Sequence, residues 1–265
     1  MNADDNQIII RVYPLPCAVK NIMAQLQRIA ITSLSSANAP SQLQQNKILL
    51  TPQQQHYLNR VLRLQKGDRF IAMDGMGKWW LAQLEGEQAQ ILELLTVETE
   101  LPISITLMVA LPKGNGFDEV VRCCTELGVA CIAPVLSDRT LLNPSPQKLE
   151  RWRRIASEAA EQSERSFVPT ILEPISFDAG LSSFATQQKY ICEGRGNYPH
   201  LKTCLQQTGQ TAIIIATGPE GGWTEKEIDN AIQAGFQPVS LGRRILRAVT
   251  APIVALSLIS AACEV

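Results

Sequence analysis

No apolar run in this 265-residue chain reaches the ~18 residues that a membrane-crossing helix needs; the nearest candidate, residues 253–263, is too short. The opening Met1-Asn2-Ala3-Asp4-Asp5 carries acidic residues where a secretory signal carries basic ones. No Cys-x-x-Cys pair occurs among the seven cysteines, an odd number in which Cys123 and Cys124 are neighbours. That pattern argues against a disulfide framework and against a zinc site, and it fits a reducing compartment. The expectation is a cytoplasmic protein with no metal and no membrane association. Neither charge is in surplus: 24 Lys and Arg stand against 25 Asp and Glu, for a net charge of −1. A protein that lives on naked duplex carries a large basic surplus. Any nucleic-acid contact must therefore come from local clusters. With 45% hydrophobic and 18% charged residues, the chain has the composition of a packed globular protein.

The first half alternates short strands and turns. Residues 28–31 and 47–50 read as short strands, and the Ser-, Ala-, Asn- and Gln-rich stretch 33–45 reads as an exposed loop. Thr51-Pro52-Gln53-Gln54 is a capping box, with Thr51 as cap, Pro52 at the first helical position and Gln54 reaching back. The helix it opens is expected to carry Tyr57, Val61 and Leu64 on one face and His56, Arg60 and Arg63 on another. Those three basic residues read either as a phosphate-contacting stripe or as a solvated face. Gly67-Asp68 then turns the chain into a β-meander over residues 69–74, 78–84 and 88–95, with Gly75, Gly77 and Gly86 at the turns. Short strands closed by glycine turns suggest a small barrel. Trp79-Trp80 either stacks on bases or sets one ring in the core and one half exposed.

Residues 99–102 read as a linker, after which apolar strands and helices alternate. Strands are expected at 103–111, 129–136, 190–192, 212–216 and 238–241. Helices are expected at 117–127, ended by Gly128, at 146–165, from the Thr224-Glu225-Lys226-Glu227 capping box to Gly235, and at 251–263. Such alternation means a parallel sheet covered on both faces. Gly114-Asn115-Gly116 is followed by Glu119, so a dinucleotide fingerprint lacks its third glycine. Gly218-Pro219-Glu220-Gly221-Gly222 leaves a buried strand for a capped helix, where two glycines allow positive φ and close approach to a ligand. Leu241-Gly242-Arg243-Arg244-Ile245-Leu246-Arg247 leaves another strand end. Ligands of open α/β sheets bind at such ends.

Six ordered segments carry a family resemblance: residues 56–64, Pro112-Lys113-Gly114, Thr125-Glu126-Leu127-Gly128-Val129, Glu158-Ala159-Ala160-Glu161-Gln162-Ser163, Gly218-Pro219-Glu220-Gly221-Gly222 and residues 241–247. Together they resemble the ribosomal RNA small-subunit methyltransferase E family, the SPOUT-class uracil-N3 methyltransferases of small-subunit rRNA. The resemblance implies an α/β fold in which a PUA-like β-barrel, residues 23–98, precedes a trefoil-knotted SPOUT domain, residues 102–265. Residues 1–22 have no counterpart and are expected to form a disordered leader. It also implies S-adenosyl-L-methionine as cofactor, small-subunit rRNA as substrate, and a homodimer through the C-terminal helix, expected to use Leu256 and Ile259. The cofactor is expected against Glu193 and Gly194, against Thr217, Gly218, Glu220 and Gly221, and against Leu241, Gly242, Ile245, Leu246, Arg247 and Thr250. RNA contacts are expected from His56, Arg60, Arg63 and Lys113.

Methylation at N3 of uracil requires loss of the N3 proton. Arginine cannot be the base but can stabilise charge developing on O2 and O4. Arg165 and Arg247 are the candidates for that role, with Glu161 and Glu220 as proton acceptors. Glu161 and Arg165 are expected at i, i+4 on one helix, where a plain salt bridge is the alternative. Two other function classes stay open on the residues alone. One is a Rossmann-like nucleotide-dependent enzyme using Gly114 and Gly116; the other is a non-catalytic RNA-binding module.

Overall fold

The computed structural model describes residues 26–31, 41–140, 144–184, 188–205 and 211–264. The expected leader, residues 1–22, lies outside the described residues, as does most of the expected loop at 33–45. The remainder of that loop contains a short strand, Leu43–Gln44, which corrects the reading there.

The N-terminal sheet contains β1 (Arg28–Ala30), β2 (Leu43–Gln44), β3 (Lys47–Leu49), β4 (Arg69–Met73), β5 (Trp79–Leu84) and β6 (Gln88–Leu95), in the order β1-β4-β5-β6-β3-β2. The meander expected over β4, β5 and β6 is antiparallel, and β1 joins β4 in parallel. Neighbouring residues of a strand point to opposite faces. Trp80 therefore packs with Ile48, Leu58 and Phe70, while Trp79 packs with Ile71, Met73 and Leu95. Both rings are buried. Base stacking by Trp79-Trp80, and the half-exposed ring, are thus corrected: the sheet has apolar cover on both faces and uses one indole for each.

The Thr51 capping box forms as expected, with Gln54 N–H on Thr51 Oγ1 and Thr51 N–H on Gln54 Oε1. The helix α1 (Pro52–His56) then widens into a π-helical turn, Tyr57–Val61, closed by Leu62 N–H on Tyr57 O at 2.9 Å. One extra residue in the turn rotates the residues beyond it about the helix axis. Leu58 is the buried residue here, and Tyr57 and Val61 are exposed, so the expected apolar face is corrected. His56, Arg60 and Arg63 are all exposed, but Arg63 has φ +57° beyond the helix. They do not form an i, i+4, i+7 stripe.

The C-terminal sheet contains β7 (Ser104–Ala110), β8 (Cys131–Leu136), β9 (Thr170–Ile171), β10 (Ile175–Ser176), β11 (Gln188–Cys192), β12 (Ala212–Thr217) and β13 (Gln237–Val239). Every ladder is parallel, and the order is β10-β8-β7-β12-β11-β13, with β9 also on β8. A dinucleotide-binding sheet adds its strands outward in sequence order on each side of the first. Here β12 lies between β7 and β11, so the later strand occupies the inner place. One face packs Leu107, Val109, Ile213 and Ile215 against α2 (Gly116–Glu126), α3 (Pro146–Gln162) and α7 (Thr250–Cys263). The other packs Met108, Ile214 and Ala216 against Phe177 of α4 (Phe177–Ser182) and Ala231 of α6 (Glu225–Gln233). The remaining helix, α5 (Leu201–Leu205), packs beside α7. Leu256 and Ile259 of α7 are fully buried in this domain's own core. That corrects their assignment to a dimer surface; Val254 and Leu258 are half-buried apolar positions of the helix, and Ala261 and Ala262 at its end are exposed.

The two sheets meet along residues 164–168. Val168 N–H donates to Gly75 O and Gly77 N–H to Ser166 O, both within the tip of the β4–β5 hairpin. Arg165 is 4% exposed, and its guanidinium donates to Glu100 Oε2, Thr125 O and Val129 O at 2.5, 3.0 and 2.7 Å. Glu100 Oε1 in turn accepts from Ser166 N–H. The expected Glu161–Arg165 pair on one helix is corrected. The helix α3 ends at Gln162, Glu164 turns left-handed at φ +60°, and Arg165 turns inward to the linker carboxylate.

Candidate functional site

Three loops at the carboxyl ends of β12, β11 and β13 enclose a cleft with roughly 800 Å³ of empty space, its mouth included. From the loop after β11 come Glu193 and Gly194; from the loop after β12, Gly218, Glu220 and Gly221; from the loop after β13, Leu241, Gly242, Ile245 and Leu246. Nine of the residues expected from the sequence are thus brought together. Thr217, Arg247 and Thr250 stand beside the cleft without lining it. Arg165, Glu161, His56, Arg60, Arg63 and the Lys113 side chain do not line it either.

The glycines are needed for different reasons. Gly222 has φ +71° and Gly242 has φ +121°, a left-handed backbone that other residues rarely adopt. Gly221 does not have positive φ, so of the two glycines expected to allow it only Gly222 adopts it. A Cβ on Gly221 would instead lie 3.1 Å from Arg139 Cδ, and one on Gly194 would lie 3.1 Å from Ile245 Cδ1. Gly116 answers to packing as well: its Cβ position is 2.7 Å from Val249 Cγ2. The space that a Rossmann-like reading gives to a nucleotide is filled there by the chain itself.

Trp223 ties the loops together. Its ring stacks on Phe177 with centroids 4.4 Å apart, and its Nε1–H donates to Cys192 O at the end of β11. The Pro219-Glu220-Gly221 turn is held from two sides. Lys113 N–H donates to Glu220 Oε1 at 2.9 Å, and Arg139 Nη1 donates to Gly221 O at 2.7 Å and Trp223 O at 3.1 Å. Beyond it, the Thr224 capping box closes α6, and the buried Glu227 also accepts from Asp138 N–H.

Charge around the cleft is local, as the neutral composition requires. Arg195 and Arg244 line it, and Arg243 and Arg247 are exposed nearby. None of the four has an acidic partner within 4 Å among the described residues. Ile245 is 70% exposed at the rim, an apolar side chain among cations. Burial pushes the Cys192 thiol far above its usual range, so it remains an un-ionised wall group. Thr217 is fully buried with an unpartnered hydroxyl next to Gly218. Away from the cleft, burial and the neighbouring Glu158 raise the Glu161 carboxyl above its ordinary value.

Sequence reasoning missed Arg139, Trp223 and Arg244. Arg244 stood in a quoted motif, but Arg139 had no local signal: its partners lie 82 and 84 residues away.

Comparison with known proteins places this geometry. A family profile described as an RNA methyltransferase domain matches residues 99–260, and one described as an RNA methyltransferase PUA domain matches residues 50–95. The chain is 52% identical over 232 residues to ribosomal RNA small subunit methyltransferase E of Synechocystis, covering 85% of this chain and 77% of that protein. The protein of the same name in Bacillus subtilis is 30% identical over 226 residues, 80% of this chain and 88% of its own. Among solved structures, ribosomal RNA small subunit methyltransferase E from Neisseria gonorrhoeae, bound to S-adenosyl methionine, superposes with a TM-score of 0.76 at 33% identity. The match covers 89% of this chain and 97% of that one.

Proposed function

The chain belongs to the ribosomal RNA small subunit methyltransferase E family, and on that ground we propose that it transfers a methyl group from S-adenosylmethionine to N3 of a uridine in small-subunit rRNA. It is an S-adenosylmethionine-dependent rRNA methyltransferase; the uridine N3 target is the finer part of the proposal. The observation that carries it is the cleft between the three loops that follow β11, β12 and β13. Its residues fit the cofactor. Glycines 194, 218, 221, 222 and 242 put no side chain between the backbone and the cleft, and Ile245 and Leu246 supply an apolar wall.

When bound, S-adenosylmethionine supplies an electrophilic methyl group on a sulfonium. The chain does the rest. The loops orient the reacting atoms and exclude water. Arg244 and Arg247, unpaired at the rim, meet negative charge developing on the uracil oxygens. Glu220, whose carboxylate has one oxygen held by Lys113 N–H, accepts the N3 proton directly or through water. Arg165 is assigned to the domain junction rather than to the uracil, because its donors are committed there. Residues 23–98 act as an RNA-binding domain, with the exposed His56, Arg60 and Arg63 meeting phosphate, and Lys113 adds an exposed phosphate contact from the second domain. A cytoplasmic homodimer through the half-buried side of α7, at Val254 and Leu258, completes the reading. No helix among the described residues is long and apolar enough to cross a membrane.

The test is nucleoside analysis of small subunits and naked rRNA from a strain lacking this activity, incubated with protein and S-adenosylmethionine. Appearance of 3-methyluridine is expected. Methyl transfer to another atom would displace the N3 assignment, and no cofactor binding by calorimetry would displace the whole reading. Mass measurement by light scattering should give twice the chain mass at micromolar concentration, and Val254→Asp should return it to one, because an unpaired charge in a dry interface is costly.

A further inference from the structure

The loop after β8 is not among the three that form the cleft's floor, yet it sends one side chain into the wall. Arg139 has no acidic partner within 4 Å among the described residues. Its Nη1 instead bridges two carbonyl oxygens of the loop after β12, Gly221 O and Trp223 O. Its aliphatic stem lies over Gly221, with Cδ and Cβ 3.1 and 3.4 Å from the place a Cβ would take. The neighbouring Asp138 grips the start of α6, where that loop ends. Its N–H donates to Glu227 Oε1 at 2.9 Å, and its Oδ2 accepts from Thr224 Oγ1 at 3.3 Å.

Carbonyl oxygens in a loop between a strand and a helix have no ladder partner, and an unmade bond there leaves the turn free to rotate. A cation reaching two of them fixes the peptide planes at Gly221 and Trp223 together. Those planes decide which backbone groups of the turn face the cleft. Gly221 then has a reason other than φ: a Cβ there would sit 3.1 Å from Arg139 Cδ and press the arginine stem out of place. We infer that Arg139 is a positioning residue for the cofactor, acting through the carbonyls of Gly221 and Trp223. Gly221 is small in order to admit it. The inference rests on the reading of the cleft as the S-adenosylmethionine site.

The experiment is a double-mutant cycle with Arg139→Ala, Gly221→Ala and the two combined, read by cofactor calorimetry, by steady-state kinetics and by amide exchange of Gly222. That amide donates to Pro219 O across the turn at 2.9 Å and reports its order without any ligand. Arg139→Ala should weaken S-adenosylmethionine at least tenfold and raise its KM, with kcat at saturation within about threefold. Gly222 exchange should quicken at least tenfold while the melting temperature barely moves. Gly221→Ala should weaken binding by displacing the arginine, and the double variant should bind no worse than Arg139→Ala, since the added methyl enters vacated space. Arg139→Lys should recover part of the affinity, because one nitrogen makes both bonds. Two results would overturn the inference: cofactor affinity and Gly222 exchange unchanged in a folded Arg139→Ala protein, or losses that multiply in the double variant, meaning that the two residues act independently. If the wild-type protein itself binds no S-adenosylmethionine, the cofactor reading fails, and Gly222 exchange still decides whether Arg139 orders the turn.

Discussion

The domain junction and the cleft are built around the same device used in opposite settings. In each, an arginine reaches two backbone carbonyls from distant chain: Arg165 holds Thr125 O and Val129 O, and Arg139 holds Gly221 O and Trp223 O. At the junction the arginine is buried and its charge is balanced by Glu100. At the cleft it is exposed and has no carboxylate. The first arrangement fixes two layers of the fold against each other, and desolvation makes any loss there expensive. The second leaves charge available at a surface that receives a ligand, and its loss is cheap for the fold. The chemistry of a residue type therefore does not say whether it serves stability or catalysis; burial and the balancing charge do.

Five substitutions put that contrast to the test. The largest expected effect is from Trp223→Ala, which removes the stacked ring on Phe177 and the bond to Cys192 O. A loss of about 3–5 kcal/mol in denaturant unfolding is expected, and a smaller loss would mean that the cleft loops stand without this post. Arg165→Ala comes next, at about 3 kcal/mol, because it strands a carboxylate and two carbonyls in a largely dry junction. Glu100→Ala should reproduce its loss of stability, and both proteins should bind S-adenosylmethionine normally. If Arg165→Ala abolished methyl transfer while Glu100→Ala left both transfer and stability intact, Arg165 would move from the junction back to the uracil.

Gly221→Val should keep the fold and lose at least tenfold in cofactor affinity, about 1.4 kcal/mol, since a branched side chain collides with the Arg139 stem. Normal titration by the folded variant would remove this turn from the site. The smallest effect belongs to Glu161→Gln. Its carboxyl is held above the ordinary value by burial and by Glu158, so the folded state favours the protonated form. Stability from this group is present below the ordinary carboxylate range and is lost as pH rises through the higher folded value. The glutamine variant should therefore be slightly more stable than wild type near pH 7 and no different near pH ~4. A destabilised variant at pH 7 would show that the charge is held by a favourable partner.

What the sequence made legible was local. The Thr51 and Thr224 boxes, the left-handed Gly128 and the apolar runs of β7, β8 and β12 each announce themselves within a few residues, and each forms. The cleft loops could be found because glycines at strand ends are also a local pattern. Both arginine grips join residues 36 to 84 positions apart and could not be. The π-turn after His56 was hidden for another reason: one extra residue in a turn leaves the composition of the helix unchanged while reassigning its faces. The short elements β9, β10, α4 and α5 are fixed by the sheet they cover rather than by their own propensity.

The inner place of β12 has a consequence for how the chain comes to be folded. Its neighbours β7 and β11 precede it in the sequence, so during synthesis both are finished before the strand that separates them exists. They cannot close on each other without excluding it, and each keeps an unpaired edge toward an empty slot until residue 217 has emerged. Those edges are ready templates for another chain. Pairings of such long sequence separation also form slowly, after the cost of closing a large loop has been met. The central ladder of the sheet is thus laid down late, with only β13 still to follow, and the nascent protein depends on staying dilute or shielded for that interval.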